Sequence, residues 1–199
     1  MARKPAPAER STPTVRKAAV IGGNRIPFGK AGGAYASASN LDMLTATLTG
    51  LVARFTLQGE RIGDVAGGAV LKHSRDFNLT REAVLGSGLD PHTSAFDTQR
   101  ACGTSVEAVT AIANKIALGQ IETGIAAGTD STSDAPIVVS DRLRRTLTKL
   151  SRSKSLAEKV KLVGSLRPGD LAPVAPSVNE PRTGMSMGEH QAITTRRWS

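Results

Sequence analysis

Apolar residues recur along this chain in two rhythms: short continuous runs, and longer stretches in which they return every third or fourth position. Residues 17–23 (KAAVIGG) form an apolar run ended by glycines and predict a buried strand. Residues 24–38 are rich in Gly, Pro and Ser and predict a loop. Asn40 is placed to cap a helix beginning at Leu41, along which Leu44, Leu48, Leu51, Val52 and Phe55 keep helical spacing. After Gly59 and Gly63, residues 64–72 (DVAGGAVLK) predict a second strand whose paired glycines permit close backbone contact. A short helix over 79–85, closed by Gly86 and Gly88, precedes a third strand over 94–99 (SAFDTQ). From Gly103 the pattern is helical again, through Val106, Val109, Ile112, Ala113, Ile116 and Ala117 to Gly119. Residues 123–128 (TGIAAG) predict a fourth strand. Strands alternating with helices predict a layered α/β domain.

After Asp134 the pattern changes. Residues 137–150 read either as a strand or as the start of a helix, and 151–181, basic and punctuated by prolines, as an irregular excursion. Residues 185–197 (MSMGEHQAITTRR) predict a further helix starting near Gly188.

Composition narrows the choices. Hydrophobic residues make up 39% of the 199 and aromatics only 3%, so the core is built from small and aliphatic side chains. No apolar stretch reaches the roughly 18 residues of a membrane span. The net charge of +9 is concentrated at two places. Residues 1–17 carry five cations against Glu9, and 141–167 carry nine against Asp141 and Glu158. Residues 1–15 predict a disordered basic extension: Pro5, Pro7 and Pro13 spoil the amphipathic helix of a transit peptide, and a secretory core region is missing. A cytoplasmic location is the expectation. Scarce aromatics argue against stacking on nucleic-acid bases.

One cysteine excludes an internal disulfide, and no Cys/His cluster has metal-ligand spacing. Cys102 is therefore a small buried hydrophobe or a nucleophile. It falls where the third strand gives way to the next helix. There the positive end of the helix dipole stabilises a thiolate, and helix N–H groups can receive an oxyanion. Gly103 clears space beside the sulfur. On this placement alone, both readings stay open.

The residues around it carry a resemblance. The segment Gln99-Arg100-Ala101-Cys102-Gly103-Thr104-Ser105 resembles the nucleophile segment of the thiolase family (acetyl-CoA C-acyltransferases and acetyltransferases). Arg25-Ile26-Pro27-Phe28-Gly29 resembles that family's loop after the first strand. Ala126-Ala127-Gly128-Thr129-Asp130-Ser131 resembles its strand after the nucleophile helix, and Ser186-Met187-Gly188-Glu189-His190 its Met-Gly helix start. Together these segments lie in the family's order over residues 16–198.

The resemblance implies a thiolase-like layered fold, with a mixed, mostly parallel sheet flanked by helices. Residues 16–135 correspond to an incomplete N-terminal domain and 136–199 to part of an inserted, CoA-facing loop domain. It implies ping-pong acyl transfer on 3-ketoacyl-CoA of the fatty-acid β-oxidation type, with Cys102 as the acyl-accepting nucleophile. CoA and acyl-CoA are substrates, and no tightly bound cofactor or metal is implied. Met187 and Gly188 correspond to positions near the acyl–pantetheine tunnel. The implied partners are a second copy, or a chain supplying the second thiolase half.

The family's Gly-His-Pro, Cys-x-Gly and Asn-Glu-x-Phe motifs do not occur in these 199 residues. His73, His92 and His190 lack the context to replace them, so weak or absent activity is expected of these residues alone. The alternatives are a β-ketoacyl synthase-like fragment and a non-catalytic partner of a full-length thiolase.

Overall fold

The computed structural model describes residues 15–174, 177 and 179–198. All of the predicted basic extension except Val15 lies outside them. The chain divides into two compact units, the first ending at Pro136 and the second beginning at Ile137.

The first unit is built on three parallel strands, β1 (Asp64–Gly67), β2 (Ala95–Asp97) and β3 (Gly124–Ala126), in the order β2-β1-β3. Val65 pairs with Ala95 on one side and with Ile125 on the other. Side chains alternate across a strand, and the core divides accordingly. Val65 packs with helices α1 (Asn40–Arg54) and α2 (Leu79–Gly86) through Leu44, Leu48, Val52, Leu79, Ala83 and Val84. Its neighbour Ala66 turns to the opposite face and meets Ala108 and Ile112 of α3 (Thr104–Ala117). The result is the helix–sheet–helix layering that the alternation predicts.

Three expectations need correction. Residues 17–23 join no strand, and Val20 and Ile21 are 90% and 86% exposed. An apolar run becomes a strand only where its backbone finds a ladder partner, and these residues pair with no strand among the described residues. The sheet of this unit is consequently all parallel and has three strands, not four. Second, Asn40 does not cap α1. Ser39 does, in a capping box with Asp42. Asn40 is instead fully buried in the first turn, donating to the Leu71 carbonyl at 2.9 Å. Third, a refinement of the expectation and not a reversal of it: α3 forms where its pattern predicts, and it is apolar on two faces. Ala108 and Ile112 meet the sheet, while Val106 and Val109 are 69% and 48% exposed.

The second unit contains α4 (Asp141–Arg152), α5 (Leu156–Gly164) and α6 (Met187–Trp198), with a short antiparallel pair, β4 (Val138–Val139) and β5 (Pro173–Val174). The stretch 137–150 is thus a strand and then a helix. The irregular excursion expected over 151–181 is interrupted by α5, a correction with a simple cause. Its prolines begin at Pro168, beyond the helix. No helix among the described residues is long and apolar enough to cross a membrane.

One carboxylate links strand and helix in the first unit. Asn78, at the N-cap of α2, makes no side-chain capping bond. The orphan donors are met across the fold by Asp97, whose Oδ1 accepts from Thr80 N (2.8 Å) and whose Oδ2 accepts from Leu79 N (3.1 Å). Lys72 Nζ lies 2.5 Å from the same Oδ2. Burial raises the pKa of Asp97, but the Lys72 ammonium and the Thr80 donors outweigh it and hold the group below its usual range. A depressed carboxylate adds stability above its unfolded pKa of roughly 3.9 and loses it as pH falls through the lower folded value. Asp97→Asn is expected to cost about 1.5–3 kcal/mol at neutral pH. The difference from the native chain should shrink below pH ~4, as urea unfolding at the two pH values would measure.

Candidate active site

Cys102 is exposed. That removes the reading of a buried structural cysteine. Its position comes from a turn that the local sequence over-determines. Ala101 has φ of 44°, in the left-handed region that non-glycine residues seldom enter. The turn is held by hydrogen bonds from Gly103 N to the Arg100 carbonyl (2.9 Å) and from Thr104 N to the Ala101 carbonyl (3.2 Å). Buried Thr104 closes it. Its hydroxyl donates to the Ala101 carbonyl at 2.7 Å and accepts from Arg100 N at 2.9 Å. Arg100 is further fixed by an ion pair with Glu107, one turn into α3. Because the Gly103 and Thr104 N–H groups are spent on this turn, an oxyanion at the sulfur would need other donors.

The floor of the turn is the carboxyl end of the sheet, at residues 68–72. Asp130, just past β3, receives the Val70 and Leu71 N–H groups at 2.8 Å each. Gln99 Nε2 donates to the Val70 carbonyl at 3.2 Å. Two glycines make the approach possible. A Cβ on Gly68 would stand 2.0 Å from the Thr98 carbonyl oxygen, and one on Gly128 would stand 2.2 Å from Ser105 Oγ in the first turn of α3. A serine hydroxyl can rotate away. The backbone carbonyl of Thr98, just past β2, cannot.

The histidines lie elsewhere. His73 Nε2 is 2.8 Å from the Asp134 carbonyl oxygen, and Asp134 is held by Arg75 at 2.6 Å. His92 is the exposed turn residue expected, paired with Asp90 at 2.8 Å. His190 lies in α6 of the second unit, 3.2 Å from Thr183 Oγ1. Met187, 60% exposed, and Gly188 open that helix. The Ser-Met-Gly-Glu sequence forms a reciprocal cap there, with Ser186 N donating to Glu189 Oε2 at 2.6 Å and Glu189 N to Ser186 Oγ at 3.3 Å. Among the described residues, no group of His, Cys, Asp or Glu has the form of a metal site. Sequence reasoning missed the role of Asp97, and quoted Thr104 and Asp130 only as parts of a resemblance. The one signal for Thr104 was a short β-branched hydroxyl at a helix start.

The first unit thus presents an exposed cysteine at a strand-to-helix turn of a parallel α/β layer. The model for the thiolase N-terminal domain matches residues 18–174, and the chain belongs to that family. Among curated relatives, it is 40% identical over 171 residues to the 3-ketoacyl-CoA thiolase of Pectobacterium carotovorum subsp. carotovorum (strain PC1), covering 86% of this chain and 39% of that protein. It is equally similar over 170 residues to the 3-ketoacyl-CoA thiolase of Yersinia pestis (strain Pestoides F), covering 85% and 39%. The chain thus spans about two fifths of the length of these relatives. The crystal structure of the Bacillus anthracis acetyl-CoA acetyltransferase superposes with a TM-score of 0.73 at 19% identity, over 94% of this chain and 43% of that one. At that identity the likeness is one of fold.

Two substitutions test this account of the turn. Thr104→Val should lower stability by about 1–3 kcal/mol, because it leaves Arg100 N without its partner and takes one of two donors from the Ala101 carbonyl. Gly68→Ala should cost about 1–3 kcal/mol or more through overpacking against the Thr98 backbone carbonyl. Thermal melts of the two variants beside the native chain would measure both.

Proposed function

We propose that this chain carries the nucleophile of a thiolase-type acyl transfer, with Cys102 as the residue that takes up the acyl group. The observation that carries the reading is an exposed cysteine at a pinned strand-to-helix turn, within a segment matched by the thiolase family model. Membership of that family favours it over a ketoacyl synthase. The Cys102 thiolate attacks the 3-keto carbon of a 3-ketoacyl-CoA. An S–C bond forms as the C2–C3 bond breaks, and the departing enolate takes a proton to become acetyl-CoA. The thiolate of a second CoA then attacks the acyl thioester and releases the cysteine. The names of the relatives support a role in fatty-acid β-oxidation.

In the same reading, the first unit is the incomplete N-terminal domain and the second is the start of the CoA-facing loop domain. Met187 and Gly188 belong near the acyl–pantetheine tunnel. Likeness of the Ser186–His190 segment to the family supports their assignment, and the exposure of Met187 is compatible with it. The groups that assist proton transfer in the family are not among these 199 residues. Such assistance is worth roughly 10²–10⁴-fold, so the second thiolase half is proposed to supply it; a second copy of these residues, the other proposed partner, would lack the same groups. The exposed faces of Val106, Val109 and Leu118 on and beside α3 support the need for one.

Intact-mass measurement after incubation with acetyl-CoA or acetoacetyl-CoA tests the proposal. A slow, single acyl adduct is expected on the folded chain and should be missing from Cys102→Ala. An adduct that persists in the variant, or none on a chain shown to be folded by circular dichroism, would overturn the assignment of Cys102 as a competent nucleophile in this chain.

A further inference from the structure

Backbone pairing in the first unit stops short of the segment that floors the Cys102 turn. On one side of β1 the ladder runs on past the strand, with Ala127 N donating to the Ala66 carbonyl at 2.8 Å and Thr129 N to the Gly68 carbonyl at 3.0 Å. On the other side, Thr98 N donates to the Gly67 carbonyl at 2.7 Å. Beyond these rungs, side chains continue the ladder. The Asp130 carboxylate takes the Val70 and Leu71 N–H groups from one side, and the Gln99 amide donates to the Val70 carbonyl from the other. A carboxylate suits the first task because it offers two acceptor oxygens and no donor.

Asp130 is exposed and belongs to neither hydrophobic cluster of the unit, so the core does not depend on it. Its bonds end on a segment that Gln99 joins to Arg100, where the turn begins. In that turn Ala101 holds φ of 44°. The left-handed conformation disfavours an L-residue by a factor of roughly five to thirty. Thr104 closes the turn from within, while Asp130 and Gln99 fix the backbone on which it stands.

We propose that Asp130 is a positioning residue for Cys102: by fixing Val70, and through it Gln99, it keeps Ala101 in the left-handed turn that presents the thiol. Asp130 acts through these residues and touches no reacting atom. As a device of acyl transfer it rests on the assignment of Cys102 as nucleophile. As a means of holding the sulfur out, it does not.

Cys102 is the one cysteine of the chain, so its alkylation by iodoacetamide can be followed by intact mass on the folded full chain, with no acyl donor present. Asp130→Asn sets an amide donor against one of the two N–H groups. It should slow alkylation at least about fivefold, with circular dichroism unchanged and equal rates for the two chains in urea. Ala101→Gly relieves the turn of its strain, and in that background Asp130→Asn should change the rate by less than about twofold. A residue that only stabilised the fold would slow both backgrounds alike. Should Asp130→Asn fail to fold, Gln99→Leu, which removes the opposite bond to Val70, takes its place with the same pattern expected. Alkylation that the substitution leaves unchanged or quickens overturns the proposal, as does an equal loss with and without Ala101→Gly. Acylation by acetyl-CoA, measured alongside, keeps two failures apart. A chain that shows the alkylation pattern but takes up no acyl group retains the positioning and loses the acyl transfer; the reverse result does the opposite.

Discussion

Three parallel strands end close together in the first unit, and the backbone groups they release there must find partners. The rest of the site depends on how that demand is met. Water is a poor answer beside a packed helix, so side chains from other elements supply the bonds. Asp130 takes two N–H groups of the segment after β1, Asn40 and Gln99 take its carbonyls, and Asp97 takes the first donors of α2. Each bond joins elements far apart in sequence. Together they convert the end of a sheet, the loosest part of such a fold, into a rigid floor. Only over a fixed floor can a turn hold Ala101 at positive φ. The exposure of Cys102 follows from that turn.

The layering and α1, α2 and α3 were legible because burial on one face leaves a repeating pattern that survives any tertiary detail. Leu44, Leu48 and Val52 are where the periodicity puts them, and all are buried. What the pattern could not convey was partnership. Residues 17–23 are as apolar as a strand, yet they pair with no strand among the described residues. The helix α5 was obscured by prolines that follow it. The turn around Cys102 was readable as a strand-to-helix junction, but its locking by Thr104 was not. A hydroxyl at that position is equally common at caps that bind nothing.

Motifs and their physics do not always coincide. The Ser-Met-Gly-Glu segment drew notice as a family resemblance, and its outer residues make a reciprocal helix cap whatever else the segment does. Ser186 and Glu189 are thus accounted for by the helix they begin. Met187 and Gly188, which the cap does not require, are left as the positions whose identity calls for another reason. The same separation applies at the strand-to-helix turn, where Thr104 is explained by the turn and Cys102 is not. Subtracting the residues that folding explains sharpens the set that function must explain.

Helix α3 carries this argument to its end. Its inner face, Ala108 and Ile112, is small enough to lie close against Ala66 of the sheet. Its outer face, Val106 and Val109, contributes nothing to that packing and stands in water. A helix that needed only the sheet would gain solubility from charge at those positions, as α4 does on its outer side. Apolar residues on both sides are the pattern of a helix between two layers. The cysteine stands at the N-terminus of that helix. Under the proposed acyl transfer, a layer over Val106 would lie about one helical turn from Cys102 along the chain.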